Sequence, residues 1–271
     1  MSRLPTLFLS HGSPMHAVQS GAAGDAWQAA GETLPRPRAI LVASAHWETS
    51  VPMLTGNPQP ATIHDFGGFP AELYKLRYPA PGAPELAAQA VAVLKDAGIT
   101  AGIDGCRGLD HGAWVPLLRT YPAADVPVVQ ISVQPGLGTA HHLRLGQALA
   151  PLADDGVLII GSGHTTHNLR DWMAGRGRSA PLPYVGAFAG WVDAQLRAHD
   201  AAALVAYREK APDAVRAHPT EEHFLPLFVA WGAAGIDADV TRIVDAVEAG
   251  ALAMDSYRFT SRASAPRALA A

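Results

Sequence analysis

Four short runs along the chain are apolar almost without interruption, at residues 6–10, 39–45, 126–133 and 157–161. Each is rich in Leu or β-branched residues and lacks the strict alternation of a half-exposed strand, so each is expected to be a strand covered on both faces. Between them, apolar positions recur with helical spacing over 24–34, 83–97, 113–120 and 140–153. Strand and helix thus alternate. That predicts an α/β fold: a single domain whose mainly parallel or mixed central sheet carries helices on both faces. Past Gly161, a loop with Gly175, Gly177 and Pro181 leads to helices expected over 184–198 and 221–232. An edge strand is expected at 255–260, and 261–271 should be a flexible tail.

The stretch 49–84 breaks this rhythm. It carries seven prolines and four glycines and has little periodicity of its own. Its centre, TIHDFGGFPAELY, holds too many aromatic residues for a solvated linker, so it is expected to be an ordered flap over a site.

Composition narrows the function. A formal charge of -4 without a basic run makes nucleic acid and anionic membranes poor partners, and a small molecule becomes the default. The single cysteine, Cys106, excludes an internal disulfide and a Cys-rich zinc site, which fits a reducing cytoplasm. No apolar run is long enough for a membrane span, and the N-terminus lacks the h-region of a signal peptide. Histidine is the unusual component, with 12 against 20 lysines and arginines together.

Several histidines directly follow the apolar runs. LFLSHGSP places His11 after the first, ILVASAHWE places His46 after the second, and GSGHTTHNL places His164 and His167 after the fourth. In open α/β sheets ligands bind at the carboxyl ends of the strands, so these rings should meet at one edge. A neutral imidazole offers a lone pair near physiological pH, which makes such a gathering a candidate metal site. Of the GSGHTTHNL pair, His167 is favoured over His164, because a turn aims only one of them well at a given point.

In HPTEEHFLP, Thr220 is expected to cap a helix, with Glu221 and Glu222 in its first turn against the helix dipole and His223 presented as a third ligand. GLDHGAW offers His111, either to orient or protonate a substrate or to cap a helix. His64 in the flap either faces a substrate or belongs to a local turn with Asp65. His16, His141, His142, His199 and His218 are read as surface or capping residues. No GxSxG elbow is present, and Ser13 is better explained by a tight Gly-Ser-Pro turn than as a nucleophile.

Taken together, LFLSHGSPMHA, SAHWET, TIHDFGGFPAELYKLRYPAPG, GLDHGAWVPL, HNLR and PTEEHFLPL resemble the class III extradiol ring-cleaving dioxygenases, specifically their bacterial DOPA 4,5-dioxygenase-like branch. The motifs run in the family's order from Leu7 to Leu227. The resemblance implies His11, His46 and His223 as metal ligands, His167 as a base or an extra ligand beside the metal, and His111 as a hydrogen-bond donor to the developing charge. The flap residues His64, Phe66, Phe69 and Tyr74 would bind the catechol. Its substrates would be a catechol and O2, and its product a muconic semialdehyde. In more distant protocatechuate 4,5-dioxygenase relatives a glutamate is the third ligand; His223 stands at the matching place here.

Fe(II) is expected for activity, with Zn(II) occupying the site in protein as isolated, since a neutral three-His set suits either ion. The protein is expected to be a cytoplasmic monomer or small homo-oligomer. A three-His zinc hydrolase and a non-catalytic binding protein on the same fold are the alternative readings.

Overall fold

The computed structural model describes residues 3–175 and 180–262. In chain order the strands are β1 (Thr6–Ser10), β2 (Ala39–Glu48), β3 (Met53–Thr55), β4 (Gly102–Asp104), β5 (Val128–Val133), β6 (Val157–Gly163), β7 (Asp239–Val244), β8 (Val247–Glu248), β9 (Leu252–Ala253) and β10 (Ser256–Thr260). The helices are α1 (Gly21–Thr33), α2 (Pro84–Asp96), α3 (His111–Thr120), α4 (Gly138–Asp154), α5 (Leu169–Ala174), α6 (Pro183–Arg197), α7 (Ala201–Val205), α8 (Tyr207–Lys210), α9 (Ala214–Ala217) and α10 (Leu225–Ala234).

Eight strands form one mixed sheet in the order β4-β3-β5-β2-β6-β1-β10-β7, and β8 and β9 form a separate ribbon. The central strands β5, β2, β6 and β1 are parallel. They are also the apolar runs of the sequence, because a strand buried on both faces must be hydrophobic at every position. Their side chains divide by strict alternation. Leu7, Leu9, Ile40, Val42, Leu158 and Ile160 face one layer with Trp27 of α1 and Trp114 of α3. Leu41, Val157 and Ile159 face the opposite layer, with α2, α4 and α10. Phe8 packs on that side too, among aromatic residues of α6 and α10.

Several boundaries differ from expectation. β2 continues to Glu48, so His46 lies inside the strand rather than after it, where the register to β5 shifts between Ala43 and Glu48. α3 begins at His111 and is capped by Asp110, whose side chain accepts from Ala113 N. The helix expected at 221–232 starts at Leu225, and Glu221, Glu222 and His223 form a turn before it. Pro226 explains this: inside a longer helix it would lack an N–H and clash with the preceding turn, whereas in the first turn it costs nothing.

The final strand is not at the edge. β10 sits between β1 and β7, antiparallel to both, and β7 is the edge. β7 reads DVTRIV and is largely half-buried or exposed, so it lacks the apolar density that marks the central strands. Residues 263–271 of the expected tail lie outside the described residues. Among the described residues no helix is long and apolar enough to cross a membrane.

Candidate metal centre and substrate cavity

Parallel pairing brings three strand ends to one level. Ser10 is in register with Gly163, and Ser44 with Ser162. His11 and His164 therefore leave the sheet side by side, with His46 just across β6. His223 arrives from the turn before α10, where its carbonyl accepts from His164 N at 2.7 Å. That approach needs Gly163, since a Cβ there would lie 2.1 Å from His223 O. Gly112 has the same function on the other side, because a Cβ there would meet Ser44 Oγ at 2.6 Å and the His46 ring at 2.9 Å.

Three ring nitrogens converge. His46 Nε2 lies 3.0 Å from His11 Nε2 and 3.3 Å from His223 Nε2. All three lie within 4.8 Å of one another. Nitrogens about 2.1 Å from a common metal would stand about 3.0 to 3.4 Å apart, depending on the angle between them, so the spacing fits a first-row divalent cation. Without an ion, three acceptor lone pairs would simply repel.

For His11 and His223 the opposite nitrogen explains why the lone pair points inward. His11 Nδ1 lies 3.0 Å from Ser162 Oγ, whose hydroxyl donates to Gly112 O, so the ring donates to Ser162 from Nδ1 and leaves Nε2 bare. Gly112 O is free for this bond because the residue four positions on is Pro116, which has no N–H to offer it. His223 Nδ1 donates to Glu222 Oε1 at 2.9 Å. His46 Nδ1 is 3.7 Å from Asp65 Oδ2. Burial, and then the neighbouring imidazoles, hold His11 and His223 well below the ordinary histidine range. Burial and then His111 do the same to His46, against a smaller opposing pull from Asp65. Neutral rings are what a metal needs.

A network behind His46 fixes the strand end. Buried Asp110 accepts from Ser44 Oγ at 2.7 Å, from Arg107 at 3.1 Å and from Gln130 Nε2. Arg107 in turn donates to His46 O and lies over the Trp47 ring.

The three nitrogens open into a cavity of about 440 Å³. His111, His164 and His167 also line it. The His167 ring is stacked on His223 with centroids 3.4 Å apart, and burial followed by His111 lowers its pKa to about 4. His111 is the first residue of α3, and Asp110 does the capping, so its ring is free to face the cavity. Asp65 Oδ1 accepts from His111 N at 2.9 Å and lies 3.0 Å from its Nδ1. Burial opposes ionisation of Asp65, but the contacts with His111 outweigh it and hold the carboxyl at about 2.

The flap contributes Phe66 and Phe69 to the cavity wall, opposite Leu169 and Trp172 of α5 and Leu252 of the β8–β9 ribbon. His64 and Tyr74 do not line it. His64 Nε2 bonds Leu76 O, and the Tyr74 ring packs 5.2 Å from that of Phe66, so both stand behind the wall. Asp65 does not make a local turn with His64; it reaches across to α3.

Sequence reasoning missed the supporting groups, namely Ser162, Asp65 and Glu222. It also ranked His164 low, yet that ring is buried in the cavity wall with Nε2 accepting from Gly12 N at 2.9 Å. Glu221 and Glu222 were expected to serve a helix dipole. Instead Glu221 accepts from Tyr207 Oη at 2.9 Å, and Glu222 from His223. The supporting residues are ordinary serines and carboxylates, and of them only Glu222 adjoins a candidate ligand in the sequence, so nothing local pointed to Ser162 or Asp65.

Three of the histidines expected at the surface or at caps are buried: His16, His142 and His218. His142 Nδ1 donates to Gly138 O and its Nε2 accepts from Gln134 N, while His218 Nε2 donates to Thr165 O.

A mixed α/β sheet with a three-histidine centre at its strand ends defines a metal-dependent enzyme scaffold. Residues 5–253 match the catalytic LigB subunit of aromatic ring-opening dioxygenase, and the chain belongs to this family of metal-dependent ring-opening oxidoreductases. It is 44% identical over 263 residues to 4,5-DOPA dioxygenase extradiol of Beta vulgaris, covering 94% of this chain and 96% of that protein. The same-named protein of Escherichia coli K12 is 41% identical over 260 residues, with 95% of each chain covered. A crystal structure of an uncharacterized Escherichia coli K12 protein superposes with a TM-score of 0.79 at 36% identity, covering 94% of this chain and 99% of the other.

Proposed function

We propose that this chain opens the ring of a DOPA-like catechol with dioxygen, by extradiol cleavage to a muconic semialdehyde, using Fe(II) held by His11, His46 and His223. The observation that carries the reading is the convergence of the Nε2 atoms of His11, His46 and His223 in a cavity walled by aromatic residues. The names of the plant and bacterial relatives support DOPA as the substrate class. Held by these three rings, iron would supply the Lewis-acid and redox chemistry that the reaction of a catechol with dioxygen needs.

The chain's own residues do the rest. Phe66 and Phe69 hold the catechol ring face or edge and exclude water, with His64 and Tyr74 bracing them from behind. His167, kept neutral by burial, takes a proton from the catechol hydroxyl and returns it later. His111, fixed by Asp65, donates a hydrogen bond to the charge that develops on the ring oxygen. Within 49–84, the segment between β3 and α2 forms the flap of a single catalytic domain working in the cytoplasm as a monomer or small homo-oligomer.

The test is reconstitution with Fe(II) without air, then addition of DOPA, catechol, caffeate or protocatechuate and admission of oxygen. Oxygen uptake with a yellow product is expected, strongest with DOPA, and absent from the Zn(II)-loaded protein. Silence with all four catechols would overturn the reading.

A further inference from the structure

Three neutral imidazoles leave the full charge of a divalent cation uncompensated, so what stands behind each ring matters. Behind His11 is the uncharged hydroxyl of Ser162. His46 Nδ1 is 3.7 Å from Asp65 Oδ2, too far for a good hydrogen bond, and that carboxylate is committed to His111. Among the described residues, only His223 of the three rings has a carboxylate in direct hydrogen-bond contact, at 2.9 Å from Glu222 Oε1. Thr220 Oγ1 donates to the same oxygen at 3.0 Å, which pins the carboxylate in place. The Glu222 side chain is 14% exposed and also lines the cavity.

A carboxylate that accepts the Nδ1–H of a ligating histidine draws that proton toward itself, makes Nε2 more basic and brings negative charge to the edge of the ligand set. We propose that Glu222 acts through His223 as a positioning residue, placing one hydrogen bond behind the ring the negative charge that the three imidazoles lack and so setting the site's affinity for a divalent cation. This rests on the reading of His11, His46 and His223 as the metal ligands. The substitution Glu222→Gln keeps an oxygen acceptor for His223 Nδ1 but removes the charge, and Glu222→Ala removes both. Glu221→Gln is the control, since that carboxylate bonds Tyr207 rather than a ligand.

Metal-free wild-type and variant proteins are titrated with Fe(II) in the absence of air against a chromophoric chelator, and the visible bands of the Co(II) forms are recorded. Glu222→Gln is expected to weaken Fe(II) binding by about 10- to 100-fold and to shift the Co(II) bands, with Glu222→Ala at least as weak and Glu221→Gln within about two-fold of wild type. Glu222→Gln binding as tightly as wild type, or only Glu222→Ala losing affinity, would overturn the proposal, the latter by showing that shape rather than charge is what counts. An equal loss in Glu221→Gln would overturn it as well. A wild-type protein that bound no metal would instead sink the metal reading on which the proposal stands.

Discussion

His11 and His142 are both buried, both follow or flank a central strand, and both are pushed down in pKa chiefly by burial. They differ in where their nitrogens point. His142 spends both within the protein, on Gly138 O and Gln134 N, and is thereby a structural tie between the end of β5 and α4. His11 spends one nitrogen on Ser162 and aims the other at the ring nitrogens of His46 and His223. Burial and a lowered pKa therefore do not distinguish a site from a core. An unshared lone pair facing others of its kind does, because a folded protein has no reason to gather acceptors unless a cation is to sit among them.

His16 is a third case. Its Nδ1 donates to Ser20 O and its Nε2 lies 2.8 Å from Glu248 Oε1, so both nitrogens act as donors. Burial opposes the charge, but Glu248 and the Ser20 carbonyl together raise its pKa above the ordinary value. His11 and His142 thus share the neutral form protonated at Nδ1 and differ in what Nε2 faces, whereas His16 carries a proton on both nitrogens, each state dictated by its partners.

This contrast can be tested from its strongest consequence downward. His46→Ala should lose bound metal, by elemental analysis, and turnover by more than about a thousandfold, since a two-ligand site holds a divalent ion poorly. Retained metal and activity in that variant would remove the distinction between the two kinds of histidine. His167→Ala should keep its metal while oxygen uptake falls by about 10² to 10⁴-fold, the usual worth of a general base; full activity would exclude His167 from proton transfer. His142→Ala should show the reverse: it should stay active per folded molecule but lose about 1–3 kcal/mol in urea unfolding, because Gln134 N–H is left buried without an acceptor.

The smallest effect concerns His16. A histidine whose folded-state pKa is raised binds more protons folded than unfolded, so its stabilisation is fully present below pH 6.5 and fades as pH rises through the folded value. Glu248→Gln should therefore cost about 1 kcal/mol at pH 5.5 and close to nothing at pH 9, read from urea midpoints. An equal loss at both pH values would show that His16 is not charged in the folded protein.

Much of the architecture was legible because the physics that makes it is local. Strands buried on both faces must be apolar at every position, so the four central parallel strands were visible as runs, and the histidines at their ends came with them. The edge strands β4 and β7 and the short β3 beside β4 were not, since short or half-covered strands need no such run. The start of α10 was misplaced because Pro226 weighs on the helix more than Thr220 does, so His223 reaches His46 from a turn rather than from a helix.

By itself the sequence determined the α/β class, the places of His11 and His164 directly after β1 and β6, and the motif set that it shares with the LigB family. Only the tertiary structure decided which nitrogen of His11 and His223 faces inward, because that depends on Ser162 meeting His11 from a distant segment and on the turn that sets Glu222 against its neighbour His223. It also separated Phe66 and Phe69, at the cavity wall, from His64 and Tyr74 behind them. Adjacent residues in an irregular loop have no fixed period, so the direction of each is settled by what the loop packs against.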